Sequence, residues 1–345
     1  MTAHIATLKD VASVEVTPDR LPSATHEEIL NGLTTDIYFI RTRDLLAHMG
    51  LLETPVVAEV FARREGVFAG LEEMLQLFKD KKDVQIDALP EGTRFKPKDT
   101  LVRFTGPYGS FGMYETTILG ILSASTSWAT AARECVDAAK GHAVLCFGAR
   151  HVHPAIAPVM ERIAVKVGGC AGASCILGAK LLGLNPSGTI PHAAILMAGD
   201  TVKLAKVYDE ITPEGETRVV LIDTFKDEGE ESVRVAEALG GHLGAVRLDT
   251  PSERGGVTPA LVHEVRYRLD MAGHPEVKIV ATGGLTPDRI GPLVDAGADT
   301  FGVGSYICHG APIDMTLDLK VVNGKPIAKR GRLPGPLDNP LLVRV

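Results

Sequence analysis

The chain has 345 residues, of which 45% are hydrophobic and 23% are charged, and this is the composition of an ordinary globular protein. Its formal charge of -7 argues against a nucleic-acid partner, because binding a phosphate backbone needs clustered lysines and arginines and no such run occurs. No uninterrupted apolar stretch of about 18 residues is present, so a membrane span is not expected.

The cysteines and the N-terminal residues bear on cellular location. Five cysteines include no Cys-x-x-Cys pair, so neither a disulfide framework nor a zinc ribbon is expected. The first ten residues lack a basic region followed by an apolar run, which a secretory signal would show. We expect reduced thiols, no structural metal and a cytoplasmic protein.

The first part of the chain reads as a mixed α/β domain. Helical patterns cover 26–49 and 58–78, strand patterns cover 84–88 and 100–104, and an alanine-rich stretch predicts a long helix over 116–140. The pair Asn323-Gly324 lies between apolar runs near the end of the chain and predicts a type I′ hairpin. We expect that hairpin to return to the N-terminal domain.

From residue 141 onward, strand and helix patterns alternate, which is typical of parallel βαβ construction. Predicted strands are 143–147, 219–223, 245–249, 278–282 and 300–303; predicted helices are 154–167, 174–184, 232–239 and 259–272. The fold class is therefore α/β, with an incomplete or complete (β/α)8-type barrel and a second, mixed α/β N-terminal domain. The predicted boundaries are 1–115 for the N-terminal domain, 116–312 for the barrel and 313–345 for the returning segment.

Two successive apolar runs end in glycine, one at Gly283-Gly284 and the next at Gly304-Ser305. Strands that end this way leave backbone N–H groups able to point at an anion, as in the last loops of a barrel that bind phosphate. The sequence therefore predicts an enzyme that acts on a phosphorylated compound.

Carboxylates end two other predicted strands, at Asp223 and Asp249. A carboxylate at the C-terminal end of a barrel strand faces the site, where it can bind ribose hydroxyls or hold Mg²⁺ through water. The alternative is that each caps the following helix. Arg247 stands two residues before Asp249, so both share one face of their strand, and an inward arginine needs an anionic partner.

Further candidate residues stand in loops. His192 follows Gly-Thr-Ile-Pro and precedes an apolar run, so it is placed near a loop or strand end, and Arg150 is suited to anchor a carboxylate through two parallel hydrogen bonds. His151 and His153 share a face but lack a third metal ligand. Cys170 lies in a glycine-rich segment that lacks the lysine of a nucleotide-binding loop, so helix packing is its preferred role.

Taken together, the motifs resemble the nicotinate phosphoribosyltransferase family, particularly its short archaeal-type members, over about residues 25 to 332. They are, in chain order, Thr35-Asp-Ile-Tyr38, Phe111-Gly-Met-Tyr-Glu115, Phe147-Gly-Ala-Arg150, Gly188-Thr-Ile-Pro-His192, Leu221-Ile-Asp-Thr224, Val246-Arg-Leu-Asp-Thr250, Gly283-Gly-Leu285, Phe301-Gly-Val-Gly-Ser305 and Gly324-Lys-Pro-Ile-Ala-Lys-Arg-Gly331.

The resemblance implies a two-domain type II phosphoribosyltransferase that makes nicotinate mononucleotide and pyrophosphate from nicotinate and phosphoribosyl pyrophosphate, with Mg²⁺ as cofactor and ATP as co-substrate. His192 matches a histidine that ATP phosphorylates, and Tyr38 matches a residue that stacks on the pyridine ring from a neighbouring subunit of a homo-oligomer. Thr189 and Arg247 match substrate contacts. Four residues match the phosphate loops: Gly283, Gly284, Gly304 and Ser305.

The chain also departs from the family's pattern. His151 stands where a second arginine is common, position 305 is Ser rather than the more frequent Thr, and the C-terminal cysteines of some relatives are absent. Three alternatives stay open, namely a quinolinate phosphoribosyltransferase, a nicotinamide-using relative and a non-catalytic nucleotide sensor. Quinolinate carries two carboxylates and calls for a denser cluster of cations.

Overall fold

The computed structural model describes residues 4–17 and 20–345. The chain forms two compact units. Unit 1 contains residues up to Thr130 together with Ala311–Val345, and unit 2 contains Ala131–Gly310.

Unit 1 is built on an antiparallel sheet. Its first strands are β1 (Pro55–Ala62), β2 (Gly66–Val67), β3 (Gln85–Ala88), β4 (Arg94–Phe95) and β5 (Thr100–Pro107). Its helices are α1 (Leu8–Ala12), α2 (His26–Leu30), α3 (Ile37–His48), α4 (Leu71–Leu75) and α5 (Tyr108–Phe111), and the boundary between the units falls within α6 (Glu115–Ala138).

Unit 2 alternates strands with helices. Its strands are β6 (Ala143–Cys146), β7 (Gly172–Ala173), β8 (Arg218–Leu221), β9 (Leu243–Leu248), β10 (Lys278–Ala281) and β11 (Thr300–Val303). Its helices are α7 (Ala157–Lys166), α8 (Ile176–Lys180), α9 (His192–Ala198), α10 (Thr201–Ile211), α11 (Glu228–Leu239), α12 (Pro259–Met271), α13 (Pro287–Asp295) and α14 (Ser305–Cys308).

The last strands belong to unit 1 and are β12 (Met315–Val322), β13 (Lys325–Pro326) and β14 (Val343–Arg344). The unit 1 sheet has the order β13-β12-β1-β5-β3-β14, in which β12 pairs antiparallel with β1. Asn323 and Gly324 turn β12 into β13 with φ of 50° and 73°, as a type I′ turn requires. The predicted hairpin and its return to the N-terminal part of the chain are present.

One predicted helix in unit 1 is wrong. Residues 58–78 contain the end of β1, the strand β2 and only a short helix, α4. Ala58 and Val60 are fully buried in the middle of the sheet, and the carboxylate of Glu59 is buried against Arg103 at 2.8 Å. Pairing with β5 on one side and β12 on the other outweighs the helical preference of the alanine and glutamate in this segment.

The sheet of unit 2 is parallel, with the order β7-β6-β11-β10-β9-β8. Within the described residues no ladder joins β7 to β8, so the sheet curls into a half-barrel and the incomplete form of the predicted barrel is correct. Val246, Ile279 and Phe301 are fully buried in its strands. Because all its strands run the same way, their C-terminal ends meet at one edge, where the polar loops collect.

Candidate active site

A cavity of about 540 Å³ opens at the C-terminal edge of the unit 2 sheet. It is lined by Phe147, Ala149, Arg150, His151, Ser174, Thr189, Pro191, His192, Arg247, Asp249, Thr282, Gly283, Gly284, Gly302, Gly304 and Ser305. These residues follow or end the strands β6, β7, β9, β10 and β11, which is where enzymes of this architecture bind their substrates.

Arg247 and Asp249 form an ion pair in the wall of the cavity. The Arg247 Nη2 atom lies 3.0 Å from Asp249 Oδ2, and Nη1 donates a hydrogen bond to the hydroxyl of Thr189 in the loop before α9. The Arg247 side chain is only 14% exposed. Its Nε–H is buried and has no hydrogen-bond partner among the described residues.

His192 stands at the first position of α9, directly after the loop that ends at Pro191, which agrees with the expected place near a loop. The apolar run after it, Ala-Ala-Ile-Leu-Met-Ala, forms a helix because these residue types favour one. His192 Nε2 lies 3.1 Å from Asp223 Oδ2, and the Asp223 side chain is fully buried while that of His192 is 39% exposed. The second oxygen of Asp223 has no partner among the described residues.

Burial raises the pKa of Asp223, and the hydrogen bond from His192 opposes that shift in part. A carboxyl group whose pKa is higher in the folded protein stabilises the fold while it is protonated, and this stabilisation disappears as the pH rises through the raised pKa. Asp223→Asn removes the titration but keeps an oxygen for His192. We expect the stability of D223N relative to wild type to increase as the pH rises from about 4 towards neutrality. Urea unfolding at a series of pH values measures this, and a pH-independent difference would contradict it.

Glycine is required at both predicted phosphate loops. Gly283 and Gly284 have φ of 91° and 59°, and a Cβ on Gly283 would lie 2.9 Å from Asp249 Oδ1. A Cβ on Gly304 would lie 2.6 Å from the carbonyl oxygen of Phe147. Ser305 follows as the first residue of α14. The loops therefore bring backbone to the cavity at positions where no side chain fits.

Arg289 supports the first of these loops. Its guanidinium, on α13, donates to the carbonyl oxygens of Gly283, Gly284 and Val257 at 3.2, 2.7 and 3.1 Å. Sequence reasoning missed Arg289, and the available signal was an arginine in the first turn of the helix that follows a double glycine. Its contacts stabilise a turn whose positive φ values are costly for other residues.

Arg150 and His151 lie in a tight turn after β6, the 3-10 segment Ala149–His151. Burial is the main cause that lowers the pKa of His151, and the neighbouring charges of Arg150 and His309 lower it further. His151 therefore favours its neutral form near neutral pH and offers a hydrogen bond rather than a second positive charge. Sequence reasoning also missed Glu161 on α7, which accepts hydrogen bonds from this turn.

Tyr38 lies on α3 in unit 1, where it is 54% exposed. Its predicted stacking role and the homo-oligomer that this role requires stay predictions.

Cys170 is buried, and burial raises its pKa to about 12, so the thiol is packed rather than reactive.

Among residues 4–17 and 20–345, three or more His, Cys, Asp or Glu side chains do not come together in an arrangement that could hold a metal ion. Among the same residues, every helix is too short or too polar to cross a bilayer.

Two family models match the chain in succession. Quinolinate phosphoribosyl transferase, N-terminal domain, matches residues 36–126, and quinolinate phosphoribosyl transferase, C-terminal domain, matches residues 128–318. Together they span most of unit 1 and all of the half-barrel.

Individual relatives were also found. A crystal structure of nicotinate-nucleotide pyrophosphorylase from Pyrococcus furiosus is 45% identical, has a TM-score of 0.88, and is matched over 92% of this chain and 82% of that one. The nicotinate phosphoribosyltransferase pncB1 of Mycobacterium tuberculosis is 28% identical over 87% of this chain and 74% of that protein. An Archaeoglobus fulgidus protein named "Probable nicotinate-nucleotide pyrophosphorylase [carboxylating]" is 26% identical over 76% of this chain and 93% of its own length.

These findings correct the predicted reaction. The ATP-coupled nicotinate phosphoribosyltransferase is wrong, and so are the cofactor set that named ATP as co-substrate and the phosphohistidine at His192. The motifs behind the prediction describe the half-barrel and the loops at its C-terminal edge. Quinolinate phosphoribosyltransferases share that architecture and the same mononucleotide product, so those motifs do not distinguish the two reactions. With both domains matched and a 45% identical relative, the chain belongs to the quinolinate phosphoribosyl transferase family.

Proposed function

We propose that the protein transfers the phosphoribosyl group of phosphoribosyl pyrophosphate to the ring nitrogen of quinolinate, releasing pyrophosphate and CO2 and forming nicotinate mononucleotide. The observation that carries the proposal is one polar cavity that combines two glycine loops, an arginine–aspartate pair and a second arginine at the ends of adjacent parallel strands. The family models over both domains support quinolinate as the pyridine substrate.

The 5′-phosphate of the donor is assigned to the glycine loops. Gly283 and Gly284 are exposed, and Gly304 and Ser305 line the cavity at the end of the adjacent strand. Backbone N–H groups at positions without a side chain can approach phosphate oxygens closely. Neither loop needs a lysine for this role.

The ribose is assigned to the Arg247–Asp249 pair. Asp249 Oδ1 lies against the Gly283 turn, so a sugar whose 5′-phosphate sits on that turn would place its hydroxyls within reach of this carboxylate. Positive charge develops on the ribose in the transition state, and a carboxylate stabilises it. Arg247 holds Asp249 in place, and its positive charge in the cavity wall favours the leaving pyrophosphate.

His192 and Asp223 are assigned to the same half of the cavity. The carboxylate of Asp223 fixes the imidazole ring from behind, so that the other ring nitrogen of His192 is directed away from Asp223. In its imidazolium form His192 donates Nε2–H to Asp223 and can donate Nδ1–H to a pyrophosphate oxygen, and no phosphorylation of the ring is needed.

Quinolinate is assigned to the side of the cavity formed by Arg150, His151 and Ser174. The guanidinium of Arg150 suits one carboxylate through two parallel hydrogen bonds, and the neutral ring of His151 is a donor for the other. The ring nitrogen itself attacks the ribose, so no protein nucleophile is needed. Nicotinate is the 3-carboxylate, so the carboxylate at position 2 is the one that leaves as CO2. The electron pair of the broken bond stays on C2 and takes up a proton from solvent.

A substrate panel tests this assignment. We expect mononucleotide formation from quinolinate and phosphoribosyl pyrophosphate without ATP, and no more than background from nicotinate or nicotinamide with or without ATP. Chromatographic detection of the mononucleotide measures each arm. Product from nicotinate alone, formed only when ATP is present, would overturn the proposal.

A further inference from the structure

Two loops that line the cavity are hydrogen-bonded to the same buried carboxylate. Glu161, on α7, is fully buried. Its Oε1 accepts hydrogen bonds from the backbone N–H groups of Gly148 and Ala149, both at 2.9 Å, and from the Ser174 hydroxyl at 2.8 Å. Its Oε2 accepts one from the Cys175 N–H at 2.6 Å. The first two donors follow β6 and the last two follow β7.

We infer that Glu161 is a positioning residue that sets the spacing between the loop carrying Arg150 and the loop carrying Ser174, and thereby the shape of the cavity for its pyridine ligand. β6 and β7 are paired at Leu145–Gly172 and Cys146–Ala173, and the Ser174 N–H still donates to the Cys146 carbonyl oxygen at the start of the two loops. The Glu161 carboxylate bridges them at that point. The inference rests on the proposed function only for the identity of the ligand.

The chemistry of the four donors requires a carboxylate. All four groups donate, and an ionised carboxyl group is acceptor-only at both oxygens. A glutamine has the same shape, but its NH2 group would face either the Cys175 N–H or the three donors on the other side. In both orientations a donor faces a donor, and at least one buried N–H or hydroxyl loses its partner.

The surroundings leave the β6 loop little freedom to adapt. A Cβ on Gly148 would lie 2.5 Å from the end of Met160 and 2.6 Å from Cys308 Sγ, so the backbone packs closely against both side chains. Arg150 lies two residues after Gly148, in the 3-10 turn that Gly148 precedes. Loss of the carboxylate therefore displaces the turn toward the cavity, which is its open side.

The test compares Glu161→Gln with Glu231→Gln. Glu231, on α11, is equally buried and is paired with Arg234 at 2.6 Å on its own helix. Both variants lose a buried negative charge, so both are expected to be less stable than wild type. Only E161Q should change the loops.

Two readouts separate positioning from general destabilisation. By hydrogen exchange, we expect the amides of Gly148, Ala149 and Cys175 to exchange at least about tenfold faster in E161Q and unchanged in E231Q. By calorimetry, we expect the Kd for quinolinate to rise about tenfold or more in E161Q, and the Kd for phosphoribosyl pyrophosphate to change less than about twofold. Unchanged exchange at these amides in E161Q overturns the inference, as does an equal loss of affinity for both ligands.

Ser174→Ala covers the case in which E161Q does not fold. It removes one donor and keeps the carboxylate, so the Cys175 amide should still exchange faster than in wild type; unchanged exchange in S174A overturns the inference. If the wild-type protein binds no quinolinate, the proposed function is wrong. The hydrogen-exchange result then tests, without reference to that ligand, whether Glu161 positions the two loops.

Discussion

Arg247→Ala is expected to lower kcat/KM by about 100-fold or more, because a charge-assisted contact is worth about 1.5–3 kcal/mol and this side chain makes two of them. The guanidinium binds Asp249 and Thr189 at once, and its side chain is 14% exposed. Its removal leaves the Asp249 carboxylate without its cation and the Thr189 loop without its anchor. Steady-state kinetics with both substrates varied measures the loss.

Arg247→Lys is the matched variant for this prediction. Lysine keeps the positive charge but cannot form the fork that reaches Asp249 and Thr189 together. We expect it to recover only part of the lost activity. An R247A protein with wild-type kcat/KM would show that Arg247 does not contribute to the reaction.

Gly304→Ala is expected to raise the KM for phosphoribosyl pyrophosphate by about 10²-fold, since a displacement of about 1 Å in a positioning group has effects of that size. The new Cβ would lie 2.6 Å from the Phe147 carbonyl oxygen and 2.9 Å from His151 Nε2, so the loop must move. Forced overpacking of this kind costs about 1–3 kcal/mol of stability. Initial rates at several donor concentrations and thermal unfolding check both effects.

Gly120→Ala is the control for this substitution. Gly120 is exposed within α6, and a Cβ there meets nothing within 4 Å. Alanine in a helix interior is favoured over glycine by about 0.5–1 kcal/mol, so G120A should keep the KM and unfold at the same or a higher temperature. Equal effects of the two substitutions would show that the close contacts of a Cβ at position 304 are not the cause of the raised KM.

The parts of the fold that sequence alone predicts well are those that depend on local patterns of residues. The alternation after residue 141 identifies the parallel sheet, and Gly283-Gly284 announces a turn whose positive φ values the structure shows. Arg247 and Asp249 line the cavity together because a two-residue spacing puts side chains on one face of a strand.

Long-range pairing decides the parts that sequence does not predict. Residues 58–62 form a strand because β5 and β12 flank them, and β12 lies more than 250 residues further along the chain. Glu161 looks like any glutamate on an amphipathic helix until the fold brings two loops to it. In the proposed assignment, the choice of pyridine substrate likewise depends on a few donors around Arg150 rather than on the motifs that mark the barrel.

The measurement that tests the central claim most directly is the ratio of CO2 to pyrophosphate formed from quinolinate labelled in its 2-carboxyl group, without ATP. Transfer to quinolinate predicts one labelled CO2 for each pyrophosphate, and both signals should fall together in R247A. Pyrophosphate release without labelled CO2, or turnover of nicotinate in its place, would contradict the account.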